Sequence, residues 1–350
     1  SAEEPANRSE EIPEYLCVEP FIHDLYHSKA LESAFELSLI DQLLVESTSI
    51  DHLLRQLRCE PKGFHFLLGL LKANGVISED GEKIRLSDGF LAALDYRDLL
   101  EAKLEFANLV APDFLDRATA LFADPGQFMR NAKLFELFDY GYCIGNSPEN
   151  YERTKRWMRF TSVLTKYEAQ ACLPNYDFSQ HRRMIDIGGN SGEFALQICK
   201  KHPHLLATVF DLPVVCEVGR DHVGSEPEAS RIEFVSGNAL ETRIPTGFDL
   251  LTFKSMLHDW SDEKAAKLLA RATAALKPGG TILIFERHAI DAATSPMPYS
   301  MLPIFLFFRS FRSSRFYVDR LVELGFEQPV VQSIHLEMPF MLVTARKPLD

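Results

Sequence analysis

MIDIGGNSGEF, residues 184–194, runs from an apolar segment through Asp186 into a turn holding Gly188, Gly189 and Gly192. An apolar run that meets closely spaced glycines and then a helical pattern reads as a strand, a tight turn and a helix. Glycine lets the backbone reverse sharply and approach a ligand. The dinucleotide fingerprint is G-x-G-x-x-G. Counted from Gly188, the third position is Asn190, so that fingerprint fails and D-x-G-G-x-x-G remains.

Segments on either side extend the pattern. RRMIDIG, LATVFDL, RIEFVSG, FDLLTFKSM and TILIFER read as strands, separated by helical stretches such as SDEKAAKLLARATAAL, which KPGG closes. This alternation predicts an α/β, doubly wound Rossmann-like sheet. VVQSIHLEM and FMLVTARK lie too close together for a parallel crossover, so the last strand is expected to be antiparallel. Upstream, ALESAFELSLIDQLL and SIDHLLRQLRCEPKGFHFLLGLLKANGVI are helical, and GVISEDGEKIRLS reads as a hairpin about an Asp-Gly turn. Helices followed by a hairpin outline a mostly helical winged-helix domain. The expected divisions are a flexible tail at 1–12, the winged-helix domain at 13–110, a helical connector with pocket helices at 111–175, and the ligand-binding sheet domain at 176–350.

Composition narrows the function. The chain has 350 residues and a formal net charge of −13. Residues 1–110 carry 21 Asp plus Glu against 10 Lys plus Arg. A winged helix that binds DNA needs the opposite balance, so no nucleic-acid partner is expected and packing or dimerisation is the preferred role. The six cysteines, at 17, 59, 143, 172, 199 and 216, form no CxxC pair and suit a reducing cytoplasm. The polar, acidic start does not read as a signal peptide. The apolar run MLPIFLFF, 301–308, is far shorter than a membrane span, so no membrane association is expected. No clustered Asp, Asn or His spacing suggests a metal site.

Ligands of doubly wound sheets sit beyond the carboxyl ends of the strands. Asp211 ends the second strand, 19 residues after Gly192, where a carboxylate can accept hydrogen bonds from two ribose hydroxyls. Asn238, in SGNAL after the third strand, offers an amide to an adenine edge. An adenosine ligand without a phosphate bridge fits these pieces.

IDIGGNSGEFA, FDLP, GNAL, KSMLHDWSDE and LKPGGTILIFE together closely resemble the S-adenosylmethionine-dependent O-methyltransferases. The group in question has an N-terminal winged-helix dimerisation domain, and it includes plant phenolic and bacterial natural-product enzymes. The resemblance covers nearly the whole chain, and HDWSDE followed by LKPGG is its most specific part. It implies a homodimer that converts S-adenosylmethionine to S-adenosylhomocysteine on a small-molecule substrate. Carried over, Asp186, Gly188, Gly189 and Gly192 shape the methionine side of the cofactor site. Asp211 with Leu212 holds the ribose, Asn238 and Ala239 flank the adenine, and Lys254 lies beside the cofactor. Family members usually carry Asp where Asn238 stands and often Gly where Asn190 stands.

His258, after the fourth strand, is the candidate general base, and Glu286, ending the fifth, matches the carboxylate that orients it. Tyr142, Trp157, Met158, Phe160 and Thr161 are candidate substrate contacts. Plant members carry a second acid near the last helix. This chain has FFRSFRSSRFYVDRL there, with Phe311 and Arg312 near the expected position. Arg309, Arg312 and Arg315 could therefore bind an anionic substrate. The leading expectation is methylation of a hydroxyl. Methylation of a carboxylate-bearing thioether, or of nitrogen or carbon, stays open, as does a cofactor-binding winged-helix regulator.

Overall fold

The computed structural model describes residues 11–350. Residues 1–10, most of the expected tail, lie outside the described residues.

One compact unit comprises Glu14–Leu134 and Pro296–Leu306. The expected helical segment around residues 30–45 is two helices, Leu25–Glu36 and Leu39–Val45, because Ser38 takes a left-handed φ of 61° between them. Asp24 caps the first by accepting from the His27 amide at 2.9 Å. Two more helices follow, Ile50–Leu57 and Pro61–Ala73, the second opening on proline and followed by Gly75 at φ 73°. Strand β1 (Thr48–Ser49) pairs with β3 (Lys83–Leu86), which forms an antiparallel hairpin with β2 (Ile77–Asp80). Gly81, at φ 64°, makes the turn of that hairpin. The long helix Arg97–Ala123 runs through residue 110, so this unit ends at Leu134 and not at the boundary expected from sequence. MLPIFLFF supplies the short helix Leu302–Leu306, with Met301, Pro303 and Leu306 buried.

The second unit includes Phe135–Ser295 and Phe307–Asp350. Its strands are β4 (Arg183–Ile187), β5 (Leu206–Asp211), β6 (Ile232–Ser236), β7 (Phe248–Lys254), β8 (Leu276–Arg287), β9 (Glu327–His335) and β10 (Pro339–Arg346). They form one sheet in the order β6-β5-β4-β7-β8-β10-β9. Pairing is parallel from β6 to β8, and β10 is antiparallel to both its neighbours. Central strands β4, β7 and β8 are buried along most of their length, as sheets covered on both faces require. The order reverses between β4 and β7, which opens a crevice at their carboxyl ends. KPGG is not a helix end: β8 already begins at Leu276, and Gly279 and Gly280 exchange backbone bonds with Lys347. No helix among the described residues is long and apolar enough to cross a membrane.

Candidate active site

The glycine turn leaves β4 and enters the helix Glu193–Lys201. Gly188, Asn190 and Gly192 have φ of 66°, 58° and 81°. Space excludes side chains as firmly as conformation does. A Cβ at Gly188 would collide with Met256, and one at Gly189 would lie 2.8 Å from both Asp186 Oδ2 and Val209. Asn190 tolerates its left-handed backbone because its own amide oxygen accepts from the Ser191 N–H at 2.7 Å and from Thr161 Oγ1 at 3.3 Å. That local bonding replaces the glycine common in the family.

A cleft forms over this turn, lined by Thr165, Asp186, Gly188, Gly189, Asn190, Ser191, Glu193, Phe194 and Lys254. Asp186 is buried. Its Oδ1 accepts from Thr252 at 2.7 Å, while Oδ2 has no protein partner. Burial, with the nearby Asp211 charge adding to it, pushes the Asp186 carboxyl up to about 7. A buried acceptor left open beside a glycine-only cradle fits a ligand that carries donors or positive charge, as the methionine ammonium and sulfonium of S-adenosylmethionine do.

Asp211, at the end of β5, accepts from the Asn190 amide at 2.8 Å and the Leu212 amide at 2.7 Å, and burial raises its carboxyl to about 6. A carboxylate offers about four acceptor positions, so each oxygen keeps capacity for a ribose hydroxyl. Asn238 organises its own turn: its amide oxygen accepts from the Leu240 N–H at 3.0 Å, and its backbone N–H donates to Thr242 at 3.0 Å. Ala239 is buried, and its carbonyl accepts from Arg271 at 2.7 Å. Lys254 reaches Thr165 at 3.1 Å and Glu168 at 3.0 Å, and Glu168 also takes Arg287 at 2.7 Å. Glu168 and Thr165 escaped the sequence reading. They sit in the helix Pro148–Cys172, where polar residues look like any solvated face.

His258 lies on a short turn, Leu257–Asp259, just after β7. Its Nδ1 is 2.9 Å from Glu286 Oε2, and its backbone N–H donates to Oε1 at 3.3 Å. Glu286 is fully buried near the end of β8. Asp259 turns its Oδ1 to within 3.3 Å of His258 Nε2 and accepts from the Tyr140 hydroxyl at 2.8 Å. Burial opposes charging of the imidazole, but Glu286 and Asp259 outweigh it and hold the His258 pKa above its ordinary value. The Phe311 ring, standing where an acid was expected, lies 5.5 Å from the imidazole.

The remaining candidates have other surroundings. Trp157 and Met158 are buried with Cys143, Val215 and Val218. Phe160 is also buried, Thr161 donates back to the Met158 carbonyl at 3.1 Å, and Tyr142 lies under the Arg153 guanidinium at 4.2 Å. Packing is thus the evident role of the middle three. The arginines do not share one environment. Arg309 is exposed, Arg315 is 88% exposed beside Asp319, and Arg312 is bound to protein groups on several sides. The anion-binding role expected of the trio finds no support in this geometry, because the least exposed member has its donors committed. Among the described residues no cluster of three His, Cys, Asp or Glu is arranged to hold a metal.

Residues 122–316 match the O-methyltransferase domain family. The chain is 31% identical to 3-hydroxy-5-methyl-1-naphthoate 3-O-methyltransferase of Streptomyces sahachiroi, over 45% of this chain and 44% of that enzyme. That match thus spans less than half of the relative's length. Likeness to the N,N-dimethyltransferase OxyT of Streptomyces rimosus is broader, at 28% identity over 77% of this chain and 78% of the relative. Human N-acetylserotonin methyltransferase, solved with SAM, superposes with a TM-score of 0.73 at 20% identity, covering 92% of this chain and 94% of that one. PigF, solved with SAH, gives 0.71 at 23% identity, covering 92% and 96%. At such identities the structural likeness speaks for the fold. With the family match extending over more than half of the chain, this protein belongs to the O-methyltransferase domain family.

Proposed function

We propose that this enzyme methylates a hydroxyl of a small metabolite, with His258 as general base and Glu286 as its orienting acid. The observation that carries the reading is the 2.9 Å contact between His258 Nδ1 and the buried Glu286. An acceptor carboxylate on Nδ1 keeps the proton there and leaves Nε2 as the basic nitrogen. Asp259, at 3.3 Å from Nε2, can steady the imidazolium after proton transfer. The imidazolium formed would thus have one carboxylate at each ring nitrogen.

Asp186, the 188–192 turn, Asp211 with Leu212, Asn238, Ala239 and Lys254 are the residues that would hold S-adenosylmethionine, whose sulfonium supplies the methyl group. Methyl transfer is an in-line displacement, so the chain's main task is alignment. The unpartnered Oδ2 of Asp186 supports this assignment. Glu168 holds Lys254 in place by an ion pair buried on both sides.

The unit formed by 14–134 and 296–306 is the proposed homodimerisation element. Exposed Tyr26, Val45 and Phe66 support that role, and the acidic charge of residues 1–110 weighs against DNA as its partner. Six free cysteines fit a cytoplasmic location.

Replacing His258 with Gln tests the base. With a hydroxyl acceptor, turnover should fall by about 10²–10⁴-fold, the usual contribution of general-base catalysis, while cofactor affinity stays near normal. Full turnover at neutral pH would point to an acceptor that needs no base, such as a thioether. The likeness to OxyT, whose name specifies N-methylation, makes an amine the next acceptor to assay.

A further inference from the structure

Arg312 is committed to the protein in an unusual direction. Its Nη1 donates to the Leu257 carbonyl at 2.9 Å, its Nη2 donates to the Trp260 carbonyl, and its Nε donates to Asp262 at 2.6 Å. The two carbonyls flank His258 and Asp259. The Asp262 carboxylate is largely exposed, so that leg alone contributes little. The carbonyl legs differ, since a partly buried guanidinium presents its donors to them in a rigid planar fork. Nη1 also reaches the Tyr317 hydroxyl at 3.3 Å, and the guanidinium lies 5.0 Å from the Phe316 ring.

The backbone at the same position is tied elsewhere. The Arg312 carbonyl accepts from the Ala289 N–H at 3.1 Å, and residue 312 forms a parallel bridge with His288. That segment lies immediately past β8, which carries Glu286. One residue therefore joins the turn of the histidine to the strand end of its acid.

We propose that Arg312 is a positioning residue for methyl transfer: its guanidinium pins the 257–262 turn so that His258 stays in register with Glu286. This rests on the reading of His258 as the base. The need for such a clamp follows from the neighbourhood of the imidazole. Glu286 and Arg287 approach from β8, Asp259 from the same turn with Tyr140 behind it, and Phe311 contributes only an uncharged ring.

The test is a proton titration of His258 in the full-length, ligand-free enzyme. Histidine-selective isotope labelling is used, and the His258 resonance is identified by its loss in His258→Gln. Arg312→Lys keeps the charge and loses the fork. Its His258 midpoint should fall toward the ordinary value near 6.5. Arg312→Ala should fall likewise, and low-millimolar guanidinium should restore it. Direction separates the explanations, because loss of a nearby cation by itself would move the midpoint up. An unchanged midpoint in Arg312→Lys, an upward move in Arg312→Ala, or a fall that guanidinium fails to reverse would overturn the proposal. If Arg312→Ala does not fold, the lysine variant decides. Failure of the base assignment shows separately, as full turnover of His258→Gln, and leaves this titration readable.

Discussion

His258 Nδ1 and Glu286 Oε2 stand 2.9 Å apart, joining a short turn after β7 to a fully buried acid near the end of β8. The imidazole must be neutral to accept a proton, and its pKa is held above the ordinary value. The acid limb of kcat/KM should therefore have its midpoint above about 6.5. Glu286→Gln removes the charge that outweighs burial, so this limb should move to lower pH. Turnover should fall by about 10²–10⁴-fold as the tautomer is lost. A pH–rate profile of both forms checks this, and an unmoved limb would detach Glu286 from the base.

Asp211 offers a second measurement. Asp211→Ala should weaken S-adenosylmethionine binding by about 1–3 kcal/mol, the cost of losing a charged acceptor for hydroxyl donors. Calorimetric titration of the folded variant reads it directly. Unchanged affinity would remove Asp211 from the ribose site.

Asp186 should leave a signature in the stability of the free enzyme. Its folded-state pKa of about 7 exceeds the ordinary carboxylate value near 4. The folded chain thus holds a proton that the unfolded chain releases, and stability from this group declines as pH rises through that window. Asp186→Asn abolishes the decline. The Tm of the variant should gain on that of wild type between about pH 4 and 7, then run parallel above. A Tm difference that stays constant with pH would mean that Asp186 ionises normally.

Assembly is checked by light scattering. Phe66 is 72% exposed on the helix Pro61–Ala73. If this surface is covered by a second copy, Phe66→Asp should shift the wild-type dimer toward monomer at micromolar concentration without lowering cofactor affinity. A wild-type monomer would end the dimer reading.

The sheet was legible because buried parallel strands write themselves as apolar runs, each with a chemically useful residue at or shortly beyond its carboxyl end: Asp186, Asp211, His258 and Glu286. The glycine turn was legible for the same local reason. Glu168 was not, since a buried acid in an amphipathic helix has the same letters around it as a solvated one. Arg312 was misread because its main acceptors are backbone carbonyls, which no side-chain motif encodes. The left-handed break at Ser38 also left no mark, as serine carries no particular preference for it. The surroundings of Asp259 left no mark in the neighbouring letters either, since only the fold brings it the Tyr140 hydroxyl, 119 residues away in sequence.

The placement of β10 bears on how the chain is built. β10 enters between β8 and β9, with Met341 directly opposite Glu286. During synthesis, β8 leaves the ribosome well before the strand that will cover its open side. The nascent sheet therefore carries a bare, strongly apolar border exactly along the strand that bears the proposed orienting acid, and it stays bare until residues 339–346 arrive. A message truncated upstream of that strand yields a chain holding every proposed catalytic side chain yet presenting a sticky ribbon to its neighbours, a substrate for chaperones and not for chemistry.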